Sequence, residues 1–238
     1  MPTPIALNPD LPRADLRARF QERGRVQVPD FLQRESAEAL LAAMLGNQRW
    51  FLSYNEGSNN VESDLTDIQR LTPQQQQQFM QAIQRRAATG FQYCYVQYYI
   101  SESIKRGEDP GHPLHALEAF LNSAPFLDFM RELTDEPAIT SADAMASIYG
   151  PGHFLTEHDD RHEGRNRVAA YVLQLTQDWN RNWGGHLAFF DDGGNITDAF
   201  MPTFNTLNVF RVPQLHAVQH VAPFAQGYRR SITGWVHR

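Results

Sequence analysis

Apolar residues recur at three- and four-residue intervals in DLRARFQERG, ESAEALLAAMLGN, TPQQQQQFMQAIQRRAATGF and LHALEAFLNSAPFLDFMREL. From Leu11 to about Leu133 the chain therefore reads as mainly helical. Short strand-like pieces interrupt it: RVQVPDF, WFLSYN and FQYCYVQYYI, the last alternating Phe91, Tyr93 and Tyr95 with Gln92, Cys94 and Val96. From Ala138 onward the texture changes. DAMASIYGPG, RVAAYVLQLT, GGHLAFFDDGGN, TLNVFRVP, HAVQHVAP and RRSITGWVH are short apolar alternations separated by Gly, Asn, Asp and Pro, which predicts a small all-β barrel or sandwich. No linker rich in Pro, Gly or Ser separates the halves. The expectation is one domain over 1–238, with helices in 1–137 packed on a β core in 138–238. The QQQQQ run at 74–78 is too short to do more than decorate a helix surface.

Composition narrows the setting. With 42% hydrophobic and 20% charged residues, the chain belongs among ordinary soluble globular proteins. Its net charge of −6 argues against nonspecific binding to nucleic acid or an anionic membrane, since either needs a basic surface. Cys94 is the single cysteine, which excludes an internal disulfide and a cysteine-based zinc site and fits a reducing cytoplasm. MPTPIALNPDLPRADLRARF lacks the apolar core of a secretory signal, and no run of eighteen apolar residues occurs, so a soluble, cytoplasmic chain is expected.

Seven of the nine histidines lie between His153 and His237, inside the β half. His158 and Asp160 stand two apart in the run HDD, and on a strand such residues face the same side. A solvated turn after a strand is the plain alternative. A facial site of two histidines and one carboxylate needs two ligands close together and a third from a distant strand, leaving three positions on an octahedral iron open. His158, Asp160 and a histidine of HAVQH, either His216 or His220, satisfy that pattern, with Arg229 thirteen residues beyond His216. Periodicity does not separate His216 from His220, because residues four apart on a regular strand share a face. Asp159 would point away from His158. No G-x-G-x-x-G or P-loop opens a nucleotide reading.

The tract from Tyr149 to Trp235 resembles the Fe(II)- and 2-oxoglutarate-dependent oxygenases, within them the prolyl 4-hydroxylase-like branch. The matching elements are H158-D-D160, RNRVAAYVLQLTQDW at 165–179, GGHLAFF at 184–190, H216-AVQHV and R229-RSITGW. Y149-GPGHFLTEHDD and RVAAYVLQLTQDWNRNWGGHL are closest in motif to the hydroxylases of ribosomal-protein prolines. The resemblance covers about ninety residues and implies a double-stranded β-helix, a jelly-roll, supported by N-terminal helices. It implies that His158, Asp160 and His216 bind Fe(II), since His216, Val218 and Val221 fit the family phrase. It implies further that Arg229 holds the distal carboxylate of 2-oxoglutarate and that Tyr149 supports this co-substrate. Arg229, rather than Arg230, shares strand parity with Thr233 and Trp235. O₂ would be the second co-substrate and ascorbate an accessory reductant.

The substrate expected from the resemblance is a prolyl residue in a protein. A small-molecule hydroxylase of the same machinery and a non-enzymatic jelly-roll binding or sensing module are the other readings; an intact triad with an arginine partner tells against a closed structural zinc site. GSNNVESDLTD at 57–67 or DDGGNITD at 191–198 is expected to act as a lid, and Trp179 and Trp183 to cap the barrel. His153, His162, His186 and His237 are expected to be structural or surface residues.

Overall fold

The structure, a computed structural model, describes residues 4–46 and 49–238; the chain start and Asn47, the last residue of the second helical tract read above, lie outside the described residues. In chain order the elements are α1 (Arg13–Arg23), β1 (Arg25–Val28), α2 (Arg34–Leu45), β2 (Phe51–Glu56), β3 (Asn59–Asp64), α3 (Leu65–Arg70), α4 (Pro73–Ala87), β4 (Tyr93–Tyr98), α5 (Ile100–Arg106), α6 (His115–Leu121), α7 (Ala124–Thr134), β5 (Ser141–Ala142), β6 (Met145–Tyr149), β7 (Phe154–His158), β8 (Arg167–Gln174), β9 (Leu187–Phe190), β10 (Ile196–Phe200), β11 (Thr206–Arg211), β12 (His216–Val218) and β13 (Arg229–His237).

Local chemistry sets the helix limits. α1 ends where Gly24 takes a left-handed φ of 68° and its N–H returns to the Phe20 carbonyl. α4 starts from a reciprocal cap in which Thr72 and Gln75 bond each other's backbone N–H, with Pro73 in the first turn. The tract from Leu114 to Leu133, one periodic pattern in the sequence, is two helices. Ser123 is extended between them, and Pro125 lacks the N–H that a continuous helix would need.

Ten strands follow one antiparallel path, β1-β11-β8-β13-β6-β4-β7-β12-β9-β10, and curl into the expected jelly-roll. The path ends are tied together by Arg25, which donates to Asp198 Oδ2 at 2.6 Å and to Thr197 Oγ1 at 2.9 Å. Alternation along β8 shows how the layers are built. Ala169, Tyr171 and Leu173 point outward into the core shared with Leu16, Phe20, Phe126 and Met130 of α1 and α7. Ala170 and Val172 point inward beside Leu187, Phe189 and Phe210. Each fully buried Leu or Phe at these contacts contributes roughly 1.5–3 kcal/mol, so the helical layer fixes the outer face of the sheet that carries β13. β2 and β3 extend from β4 as a hairpin, a β structure where the sequence suggested a polar loop at 57–67. Asp191–Asn195 of the other expected lid is the tight turn between β9 and β10. Among the described residues no helix is long and apolar enough to cross a membrane.

Candidate active site

β7 and β12 are neighbours, and their register sets His158 opposite His216 with ring centroids 4.1 Å apart. Asp160 arrives differently from the strand geometry read in the sequence. β7 ends at His158, and Asp160 has a left-handed φ of 61°, a conformation that Asp tolerates better than most residues. Arg167 holds this turn by donating from Nη1 to the Asp160 carbonyl at 2.9 Å, while its guanidinium stacks 3.6 Å over the Trp235 ring. The carboxylate consequently lies between the two rings: Oδ1 is 3.4 Å from His158 Nε2 and Oδ2 is 3.5 Å from His216 Nε2. One ligand atom from each of the three residues falls within 4.8 Å of the others.

Hydrogen bonds fix the state of these rings. His158 Nδ1 faces the Thr156 carbonyl at 2.9 Å and His216 Nδ1 faces the Gln214 carbonyl at 2.8 Å. A carbonyl only accepts, so each Nδ1 carries a proton and each ring turns its Nε2 toward Asp160. Burial first, and then the neighbouring His158, pushes the His216 pKa down to about 4. For Asp160, burial works toward a higher pKa. The hydrogen bond with His158 and the charges of both histidines outweigh it, so the carboxyl group sits below its usual range. Two imidazoles and a carboxylate, each ring oriented by a backbone carbonyl, form a donor set suited to a divalent iron with open positions.

Arg229 begins β13 and pairs in register with Tyr149 at the end of β6. It is 1% exposed, and among the described residues no carboxylate lies within ion-pair distance of it. Its Nη1 donates weakly to Ser231 Oγ at 3.4 Å, its Nε is buried without a partner, and its carbon lies 4.9 Å above the Tyr149 ring. Burial lowers the guanidinium pKa to about 10, with Tyr149 working the other way, and it stays charged at neutral pH. A buried, unpaired guanidinium is costly unless a carboxylate reaches it. 2-Oxoglutarate is a ligand that would supply one. Arg229, Ser231, Thr233 and Trp235 all line one chamber of about 760 Å³, together with the triad and Tyr149. Arg230 faces away and donates to the Tyr228 carbonyl at 3.3 Å. Tyr149 is stacked on Tyr95 at 4.9 Å, and burial holds its phenol well above the usual range.

The remaining sequence-level alternatives lie elsewhere. β12 ends at Val218 with a register shift between His216 and Val218, so strand parity does not extend to His220. The His220 ring instead stacks on Phe154 at 5.7 Å beside a separate shallow cavity of about 420 Å³. Asp159 pairs with Arg161 at 3.5 Å at the chamber mouth. His153 accepts from the Gly150 N–H at 3.2 Å, His237 pairs with Asp143 at 3.1 Å, and the exposed His162 meets the Glu163 carbonyl at 2.6 Å. Trp179 and Trp183 form an edge-to-face pair outside the chamber. Sequence reasoning gave Arg167 no role. Its place at the start of β8 was visible, but its contact with Asp160 depends on a turn that alternation does not predict.

Beside the jelly-roll, the triad and the buried arginine, residues 144–237 match the model of the 2OG-Fe(II) oxygenase superfamily. Among curated proteins, the chain is 30% identical over 118 residues to prolyl 3-hydroxylase OGFOD1 of Xenopus laevis, a match covering 47% of the chain and 23% of that relative. The chain thus spans about a quarter of the length of this relative. Among solved structures it is similar to a Pseudomonas putida prolyl-4-hydroxylase, with 19% identity, a TM-score of 0.58, and 95% and 98% of the two chains covered. It is also similar to a prolyl hydroxylase from Trichoplax adhaerens in complex with a hypoxia inducible factor oxygen degradation domain peptide fragment, with 16% identity, a TM-score of 0.61, and 94% and 88% covered. These likenesses to solved structures agree with the fold described above.

Proposed function

We propose that the chain is an Fe(II)- and 2-oxoglutarate-dependent dioxygenase that hydroxylates a prolyl residue in a protein. The observation that carries the reading is the presence, in one chamber, of a His–Asp–His donor set and a buried guanidinium without a carboxylate partner. His158, Asp160 and His216 are the proposed iron ligands, Arg229 the partner of the distal carboxylate, and Tyr149 a support for the co-substrate. When bound, iron and 2-oxoglutarate supply an O₂-dependent oxidation that yields succinate, CO₂ and a hydroxyl group on an unactivated C–H carbon. The chain's own part is to orient both rings through Thr156 and Gln214, clamp the Asp160 turn through Arg167, and keep the co-substrate end of the chamber dry. Trp235, Thr233 and Met145 add walls against which a substrate carbon can be held.

The prolyl part of the proposal rests on the likeness to proteins named as prolyl hydroxylases, one of them in complex with a peptide. In this reading ascorbate serves as accessory reductant and the setting is the cytoplasm. Cys94, buried with its thiol pKa raised to about 12 by desolvation, is unreactive there. The test compares intact-mass and peptide mass spectra of cell lysates with and without the active gene. The expected difference is the mass of one oxygen atom on a proline of a ribosomal or translation protein. Turnover of a free amino acid or metabolite with no such difference would overturn the prolyl reading and leave the oxygenase chemistry in place.

A further inference from the structure

The edges of the sheet are not equally open. β1 and β10 are cross-linked through Arg25, and β5 is two residues long. β3 runs for six residues, pairs only with β2, and carries the sequence NNVESD, without the Lys or Pro that commonly blunts an exposed edge. Its hydrogen-bond phase follows from its turn. Gly57, at φ 65°, opens a two-residue hairpin loop, so the closing pair Glu56 and Asn59 shares both ladder bonds. The Leu65 N–H to Trp50 carbonyl bond of 2.9 Å at the far end keeps the same phase. Val61 and Ser63 therefore point their backbone groups at β2, while Asn60 and Glu62 turn theirs outward.

The same two residues place their side chains at the mouth of the catalytic chamber. Glu62 stands opposite Ser53, Ser53 opposite Tyr95, Tyr95 stacks on Tyr149, and Tyr149 pairs with Arg229, so one row of side chains runs from the open edge to the buried guanidinium. Charge distinguishes Glu62 from the other acidic groups of the mouth. Glu102 has Lys105 at 3.0 Å, Asp159 has Arg161 at 3.5 Å, and Asp143 has Arg165 at 3.9 Å. Exposed Glu62 faces the Tyr99 hydroxyl and accepts a long hydrogen bond from Gln97 at 3.4 Å, both neutral partners, and among the described residues no Lys or Arg pairs with it.

We propose that the outer edge of β3 is the docking strand for the substrate polypeptide: an extended segment flanking the target residue adds to the sheet beside Asn60 and Glu62, and a Lys or Arg of that segment meets Glu62. An added strand would lie about 4.8 Å beyond β3 and present every second side chain to the mouth. A proline has no N–H for the ladder, so the target residue lies beyond the paired stretch and the edge holds its flank. The inference rests on the protein-substrate reading above.

The experiment uses the full chain with diamagnetic Zn(II) in place of iron and with 2-oxoglutarate, and synthetic proline-centred peptides whose flanks carry either Lys or Glu at alternate positions. Backbone amide hydrogen exchange is followed by NMR. Lys-flanked peptide should slow exchange at Asn60 and Glu62. Asn60→Pro, which removes an outward donor at a position where an edge strand tolerates proline, should weaken binding about tenfold. Retained protection at Val61 and Ser63 would show that the hairpin of the variant is intact. Glu62→Lys should reverse the preference between Lys- and Glu-flanked peptides. Binding that leaves exchange at Asn60 and Glu62 unchanged would overturn the edge proposal while sparing the protein-substrate reading. A chain that binds 2-oxoglutarate but none of the peptides would overturn both.

Discussion

His158 and His216 each commit one ring nitrogen to a backbone carbonyl and present the other to Asp160, so in the proposed iron site removing any member of the triad removes a preoriented ligand. The Ala variants of His158, Asp160 and His216 should each lose Mn(II) binding by more than the roughly 10–100-fold that loss of an outer partner costs, and should lose turnover with it. His220→Ala should retain both, because its ring stacks on Phe154 outside the chamber; electron paramagnetic resonance titration with Mn(II) reads the difference. Arg229 permits a sharper separation of function from folding. Arg229→Met should raise the apparent KM for 2-oxoglutarate by an amount equivalent to roughly 2–5 kcal/mol. It should not lower the thermal midpoint of the ligand-free chain, since it replaces a buried, unpaired charge with an apolar side chain. A large loss of ligand-free stability would show that Arg229 serves the fold instead. His153 links the fold to acid. Its pKa is pushed down to about 4 by burial, from an ordinary value near 6.5, so between these pH values the unfolded chain binds the proton first. Its contribution is complete above about pH 6.5 and is lost as pH falls toward 4, a decline on the order of 3 kcal/mol. His153→Gln should flatten that part of the urea-denaturation profile of the metal-free chain.

Secondary elements place these residues with different degrees of visibility in the sequence. The helices were legible because their apolar faces meet one core, as Leu16 and Phe20 of α1 do. β4 was legible because Tyr93 and Tyr95 alternate with Cys94 and Val96 between two different clusters. β3 was not. It is a polar edge strand whose side chains stay largely exposed, and without apolar alternation NNVESD resembles a loop. Strand parity put Arg229 on one face with Thr233 and Trp235, and all three line the chamber. The same parity put Asp160 on a strand beside His158, whereas Asp160 has already left β7 and meets the two histidines from a left-handed turn. Gly234 shows another kind of illegibility. In the sequence it is an ordinary glycine inside a strand, but in β13 it lies directly beneath the Asp143 carbonyl, and an added Cβ would meet that oxygen and the Tyr171 hydroxyl. Gly234→Ala should cost more than about 2 kcal/mol in chemical denaturation, because backbone must move to admit the methyl group. A change within ~0.5 kcal/mol would mean that the Asp143 crossing is easily displaced.

At the scale of the whole molecule, the order of strand pairing turns scattered residues into a site. His158 and His216 are far apart in the chain yet paired in register, and Arg229 and Tyr149 meet across β13 and β6. Periodicity predicts a β half but not that order; the resemblance to a known oxygenase family supplied it, and the helical layer on the outer face of β8, β11 and β13 holds it in place. The central claim is that this arrangement couples iron and 2-oxoglutarate in one chamber. The most direct measurement is succinate formation from 2-oxoglutarate by the purified chain with Fe(II) and O₂, with and without proline-bearing peptides, alongside His216→Ala and Arg229→Met. The account predicts succinate formation by the wild type that is stimulated by a substrate peptide, none with His216→Ala, and recovery of Arg229→Met only at much higher 2-oxoglutarate. Wild-type protein that binds Fe(II) but forms no succinate under any of these conditions, or His216→Ala that forms as much as wild type, would contradict it.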